Sequence, residues 1–241
     1  MTDIYYININ EELSQEDYDK LLGICTADKR ETIGNFRFEA DRKRTLYGEA
    51  LARYMIAKNS GIPMNDIQLV KNPFGKPYLN NREGIHFNVS HSGNYVVCGL
   101  DDQNIGVDIE EVRDIGLDLA KSYFHIKEYA YIISQEMDRQ IQTLYDFWTL
   151  KESYIKYLGV GLNKPLGSFY FTLDGSSATL YSQENPSAYF YRYLIGDHYK
   201  LAVCVEKAAS IHLELISLHE IVSHLDIEHR LTNKHELGVM R

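Results

Sequence analysis

Apolar and polar positions along the chain first alternate, then recur at helical spacing, and that change of period happens twice. IYYIN (4–8) alternates as an opening strand does. SQEDYDKLLGIC (14–25) predicts a helix with Ser14 as its N-cap and Asp17 in a capping-box-like position three residues on. A longer helix is predicted from about Phe38 to Lys58, with Leu46, Ala50, Leu51, Tyr54 and Met55 on one face; Gly61 and Pro63 end it. KNPFGKPY (71–78) reads as a shaped loop. Three strands follow, in HFNVS (86–90), YVVCGL (95–100) and IGVDIE (105–110).

The helical period then returns in LDLAKSYF (117–124), KEYAYIISQE (127–136) and QIQTLYDFWTLKESYIKYLG (140–159), and it stops at Gly159 and Gly161. Short β runs fill the rest: SFYFTL, ATLYS, AYFYRYLI, YKLAVCVE and HLELISL. NYVVCGL in the first half has a counterpart in HYKLAVCVE in the second, as in a duplicated α+β unit. Without a Gly/Ser/Pro linker, the halves, taken as 1–105 and 106–222, are expected to share a large interface. From residue 223 to 241 the chain is a polar tail. Its His224, His229 and His235 lack the i, i+4 spacing of helical metal ligands, so a frayed helix or disorder is expected there rather than a site.

With 241 residues and 44% hydrophobic content, the chain can bury a substantial core. The first residues lack a basic region followed by an apolar one, and no apolar run is long enough to cross a membrane, so a cytoplasmic protein is expected. Cys25, Cys98 and Cys204 have no paired spacing, and the latter two sit in apolar strands as small core residues. A net charge of −9 argues against general nucleic-acid binding. Against that background, Lys29, Arg30, Arg37, Arg42, Lys43 and Arg44 face only Glu31, Glu39 and Asp41. This local cationic stretch reads either as a solvated helix face or as a seat for a small phosphorylated ligand.

Asp108 and Glu110 in IGVDIE are two apart on a strand, so both carboxylates leave the same face, while Val107 and Ile109 bury the other. A solvent-facing strand edge accounts for such a pair by itself. Glu152 and Lys156 in FWTLKESYIK are four apart, in the favourable order for an i, i+4 helical ion pair. If Glu152 instead meets the strand pair, three hard oxygen donors converge, the set that selects Mg²⁺, Mn²⁺ or Ca²⁺. Lys156 would then point toward the same place and hold a phosphate oxygen. Metal-dependent nucleases use E-x-K on a strand; the E-x-x-x-K here, on a helix in an acidic protein, fits them poorly. Ser90 and His91 in HFNVSHSG are adjacent on a strand and face opposite ways. They are therefore no nucleophile–base dyad, though both types can contact a phosphate.

With these residues assembled, the chain resembles the 4′-phosphopantetheinyl transferases, specifically the two-lobed surfactin-synthetase-activating (Sfp-like) type. The family pattern G-[IV]-D-[IVA]-E is met by Gly106–Glu110, and [FW]-[SCT]-x-K-E-[SA]-x-x-K by Trp148–Lys156. Gly75-Lys76-Pro77, the run Phe87–Gly93 and Arg44-Thr45 match its upstream landmarks, so the likeness reaches to about residue 222. It implies an α+β fold with pseudo-two-fold duplication and a coenzyme A site in the cleft between the halves. Asp108, Glu110 and Glu152 would hold Mg²⁺, with Mn²⁺ as an alternative, against the pyrophosphate. Lys156 would contact that pyrophosphate, with Ser90 and His91 near it. Lys29, Arg44, Thr45 and His91 would seat the 3′-phosphate, and Gly75-Lys76-Pro77 would lie along the adenine. Thr32 stands where the type can have a lysine, which leaves that seat looser or reliant on Arg37. Glu128 has a family counterpart whose role the resemblance does not define.

The activity implied is transfer of the phosphopantetheine arm of coenzyme A to a serine of an apo carrier protein, with release of 3′,5′-ADP. Glu152 and Lys156 would be the catalytic residues, and the partners would be carrier domains of peptide and polyketide synthases. The length points to a two-lobed monomer, since transferases dedicated to the fatty-acid carrier are short, single-lobed and trimeric. The alternative is a non-catalytic binder of coenzyme A or another adenine nucleotide, which three clustered acids argue against.

Overall fold

Strand β1 (Thr2–Asn8) lies inside a four-stranded sheet rather than at its edge. The computed structural model, which describes residues 1–80, 82–184 and 187–239, places it between β5 (Tyr95–Asp101), antiparallel, and β11 (Ile211–Leu215), parallel. Strand β4 (His86–Ser92) completes this sheet beyond β5. A second, antiparallel sheet has the order β6 (Ile105–Glu111), β10 (Tyr199–Val205), β9 (Tyr189–Ile195). Two hairpins stand apart from the sheets, β2–β3 (Leu69–Lys71 and Pro77–Leu79) and β7–β8 (Tyr170–Asp174 and Ser177–Tyr181). The stretch KNPFGKPY is therefore the turn of a hairpin, with Gly75 at φ +89°.

The strand period of two builds the layers. Tyr5, Ile7, Val96 and Cys98 face helix α3 (Glu39–Ser60), while Ile4 and Val97 turn the other way to meet Val107, Ile109, Leu201 and Val203 of the second sheet. The alternate residues of that sheet, Ala202 and Cys204, pack on helix α6 (Met137–Leu158) through Leu150, Tyr154 and Ile155. The order through the molecule is thus helix, sheet, sheet, helix. Helices α3 and α6 both end at a glycine in the left-handed region, Gly61 at φ +70° and Gly159 at φ +68°.

Helix α1 (Gln15–Gly23) is capped as its sequence predicts, the Ser14 side chain accepting from the Asp17 N–H. A second short helix, α2 (Ala27–Asn35), is capped by Thr26 and divides the basic stretch. Lys29 and Arg30 lie on it, Arg37 lies in the connector, and Arg42, Lys43 and Arg44 lie in the first turns of α3. Two more helices, α4 (Asp118–Tyr123) and α5 (Ile126–Ile133), precede α6. The last helix, α7 (Leu218–Val239), returns to the first core, where Leu218, Ile221 and Leu225 are fully buried. Glu11 accepts from its first backbone N–H groups, at Leu218 and His219. Among the described residues no helix is long and apolar enough to cross a membrane.

Candidate active site

Helix α6 lies directly on strand β6 because Gly106 has no side chain. A Cβ there would stand 2.0 Å from the Ser153 carbonyl oxygen and 2.4 Å from the Tyr157 nitrogen. Alternation then puts Asp108 and Glu110 on the same face as Gly106, toward the helix, and Val107 and Ile109 into the core between the sheets. Glu152, and Lys156 one turn on, come down over the two acids. A cavity of about 320 Å³ results, lined by Ser90, His91, Asp108, Glu110, Glu152 and Lys156, with Trp148 as an apolar wall. Trp148 is half-buried and tilted against Phe124 with ring centres 6.1 Å apart, so it borders the cavity.

Lys156 is turned to Asp108. Its ammonium is 2.6 Å from Asp108 Oδ1 and 2.8 Å from Ser90 Oγ, and no Glu152–Lys156 ion pair occurs among the described residues. The expected i, i+4 pair gives way because the Asp108 carboxylate, 4% exposed, loses more by standing alone than the half-buried Glu152 does. Ser90 also donates to Oδ1, at 3.1 Å. Asp108 Oδ2, equally buried, has no hydrogen-bond partner among the described residues.

All three acids are pushed toward their protonated forms. Burial raises the Asp108 carboxyl against the opposing Lys156 charge and Ser90 hydrogen bond. Burial first, then the neighbouring Asp108 charge, pushes Glu110 up to about 7. The same two causes raise Glu152. An unpartnered buried carboxylate oxygen, with two more acids whose charge is resisted, is the donor chemistry of a hard divalent cation. In the arrangement described here Lys156 supplies that positive charge. Among the described residues no three His, Cys, Asp or Glu side chains already stand in metal-holding geometry.

Of the remaining candidates only His91 lines this cavity; Lys29, Arg44, Thr45, Gly75, Lys76 and Pro77 are not among its lining residues. Loss of solvent around its ring, then the Lys156 and Arg44 charges, lower the His91 pKa, although the residue as a whole stays accessible. Arg44 donates to the Gly93 carbonyl at 2.7 Å and to Asp41 at 2.6 Å, tying the start of α3 to the end of β4. Thr45 follows it, half-buried. Lys29 pairs with Glu49 at 3.4 Å. The Thr32 hydroxyl is spent on the Asp28 carbonyl, and Arg37 lies over the Phe38 ring.

The hairpin Gly75-Lys76-Pro77 is pegged to the end of α6. Lys76 Nζ donates to the carbonyls of Ile105 at 3.0 Å and Lys156 at 2.7 Å, and burial pulls its pKa down to about 8. Lys76 and Pro77 border a separate cavity of about 270 Å³. A further cavity, about 520 Å³, lies between Phe74 and the Lys164–Glu184 ion pair and is lined by none of the three acids.

Glu128 is fully enclosed with Lys151, 2.8 Å away. It also accepts from the backbone of Phe171 and His125, while Lys151 donates to the carbonyls of Leu166 and Phe169. The lysine next to Glu152 in the sequence therefore points into the core, away from the site.

Two residues that help build the site escape the sequence reading. Asn88 Oδ1 accepts the Val107 N–H at 2.8 Å, Ser90 Oγ that of Ile109 at 3.3 Å, and Ser92 Oγ that of Glu111 at 3.0 Å. Ser92 also donates to Glu110 at 2.7 Å. Leaving each of these N–H groups buried and unpaired would cost about 1–3 kcal/mol. The signal is the polar alternation Asn88, Ser90, Ser92 along one face of β4.

Two family models together match most of the chain, "4′-phosphopantetheinyl transferase, N-terminal" over residues 12–101 and "4′-phosphopantetheinyl transferase superfamily" over residues 104–204. The 4′-phosphopantetheinyl transferase Sfp of Bacillus subtilis (strain 168) is 36% identical over 203 residues, covering 83% of this chain and 91% of its own. For the 4′-phosphopantetheinyl transferase psf-1 of Bacillus pumilus the figures are 33% over 221 residues, 90% and 95%. For the 4′-phosphopantetheinyl transferase gsp of Aneurinibacillus migulanus they are 29% over 205 residues, 85% and 86%.

Proposed function

The chain belongs to the 4′-phosphopantetheinyl transferases, enzymes that move the phosphopantetheine arm of coenzyme A onto carrier proteins, and we propose that it does so with a divalent metal ion. Asp108, Glu110 and Glu152 hold that ion, Mg²⁺ with Mn²⁺ as a substitute, and Lys156 meets the pyrophosphate of coenzyme A. The observation that carries this reading is the buried Asp108 Oδ2, which has no hydrogen-bond partner among the described residues and lines a cavity shared with two other acids. Membership of an enzyme family sets aside the alternative of a mere nucleotide binder.

In the transfer, a serine oxygen of the carrier forms a bond to the β-phosphorus of coenzyme A. The bond from that phosphorus to the bridging oxygen breaks, and 3′,5′-ADP leaves with the electron pair. Bound at the three acids, the cation supplies positive charge to the pyrophosphate oxygens. Glu152, half-buried and with its proton affinity raised by burial and by Asp108, takes the serine proton. Lys156, whose ammonium lies in the same cavity, would neutralise the departing bisphosphate. Ser90 and His91 flank the pyrophosphate, Lys29, Arg44, Thr45 and His91 take the 3′-phosphate, and Gly75-Lys76-Pro77 runs beside the adenine.

The coenzyme A site is a cleft between two related halves. What supports the duplication is the element order: a 22-residue helix, a small hairpin, two antiparallel strands and a third strand that joins the other sheet. The first round is α3, β2–β3, β4, β5, β6; the second is α6, β7–β8, β9, β10, β11. Carrying both halves, one chain can form the whole site as a cytoplasmic monomer. Its partners are carrier domains of peptide and polyketide synthases.

The test is an intact mass of an apo peptidyl carrier domain after incubation with the protein, coenzyme A and Mg²⁺, beside an Asp108→Ala control. A gain of one phosphopantetheine arm that requires both Mg²⁺ and Asp108 is expected. Equal transfer by the control, or transfer undiminished in chelator, would remove the metal assignment.

A further inference from the structure

Strands β4 and β6 run side by side but pair their backbones elsewhere, β4 with β5 and β6 with β10. The N–H groups that β6 turns toward β4 are met by side chains at a constant offset of 19 residues, Asn88 to Val107, Ser90 to Ile109 and Ser92 to Glu111. A constant offset means that the two strands are parallel and in register.

A hydroxyl that accepts still has a proton to give, and an amide oxygen does not. Both serines give theirs to the acid one residue before the N–H they accept, at an offset of 18: Ser90 to Asp108 at 3.1 Å and Ser92 to Glu110 at 2.7 Å. At the corresponding place for Asn88 stands Gly106, with no carboxyl to receive anything. The seam therefore has one position that only joins the strands and two that also hold an acid. Ser90 shares its oxygen with Lys156, whereas the Ser92 hydroxyl bonds β6 alone.

We propose that Ser92 is the positioning residue of Glu110. By gripping the backbone of β6 and the carboxylate with one oxygen, it fixes the acid relative to the strand and leaves the other carboxylate oxygen for the cation. This rests on the reading of Glu110 as a metal ligand. Partners that orient a ligating carboxylate typically cost 10–100-fold in metal affinity when removed.

The experiment titrates Mn²⁺, read by the loss of its free paramagnetic signal, into the protein with coenzyme A and no carrier. Ser92→Ala is expected to weaken Mn²⁺ binding by about tenfold, while Ser92→Thr, which keeps the hydroxyl, restores it. Asn88→Ala, or Asn88→Ser should the alanine variant fail to fold, is expected to lower the unfolding midpoint and leave Mn²⁺ affinity unchanged. Undiminished Mn²⁺ binding by Ser92→Ala, or equal weakening by the Asn88 variant, would overturn the proposal and leave the seam purely structural. If Glu110→Gln binds Mn²⁺ as well as the wild type does, the metal-ligand reading of Glu110 fails instead, and the positioning role with it.

Discussion

Helix α6 carries two lysine–carboxylate pairs that look alike in distance and differ in completeness. Lys151 and Glu128 are 2.8 Å apart and both fully buried, and the backbone of Phe171, His125, Leu166 and Phe169 takes up further donors and acceptors of the pair. Lys156 and Asp108 are 2.6 Å apart, 28% and 4% exposed, and one carboxylate oxygen is left over. A buried ion pair whose remaining bonds are filled is a staple, here fastening α6 to α5 and β7. The other leaves Asp108 Oδ2 without a hydrogen-bond partner among the described residues, which is the feature the proposed cation site rests on. The difference sets apart two lysines five residues apart in one motif, one in a pair whose bonds are filled and one in the pair proposed for the chemistry.

The comparison can be broken first at the staple. Lys151→Met leaves the Glu128 charge buried without its cation and should cost about 3–5 kcal/mol of stability, measured by urea denaturation. Adding Glu128→Leu should recover much of that loss, because an apolar pair of similar volume needs no counter-charge. If Lys151→Met is as stable as the wild type, the pair is not a staple. The cavity that the Lys156–Asp108 pair lines should respond in the opposite way. Glu152→Gln, on the cavity side, should lower carrier modification by about 10³-fold with the urea midpoint unmoved. Full activity in that variant would exclude Glu152 both as ligand and as proton acceptor.

The smallest effect sharpens the contrast with a third lysine, Lys76, which meets carbonyls rather than an acid. Its folded pKa of about 8 lies below the ordinary lysine value of 10.5, so between those values the unfolded chain binds more protons. Stability should therefore rise as the pH goes from about 8 to about 10.5, the burial penalty being fully present below that window. Subtracting the pH profile of Lys76→Met isolates this contribution. An identical slope in both proteins would show that Lys76 stays charged in its pocket.

Much of the fold was legible because its signals are local. Alternation in IGVDIE put Asp108 and Glu110 on one face, and Ser14 announced α1 before any contact was known. The glycines at 61 and 159 ended α3 and α6 where the helical period stopped. In the site, the motif spacing picked out Asp108, Glu110, Glu152, Ser90, His91 and Lys156, and all six line one cavity.

What the sequence determined by itself, then, was which side chains share a face, since a period of 2 or 3.6 residues is a property of the backbone alone. Only the tertiary structure decided what each face meets. Lys156 chose Asp108 over the nearer-in-sequence Glu152, Lys151 turned to Glu128, and Lys76 was pegged into the end of α6. Asn88 and Ser92 acquired their roles from a strand 19 residues further on. Such choices are set by burial, which makes a lone charge or N–H costly, and burial exists only once the two sheets and their helices have come together.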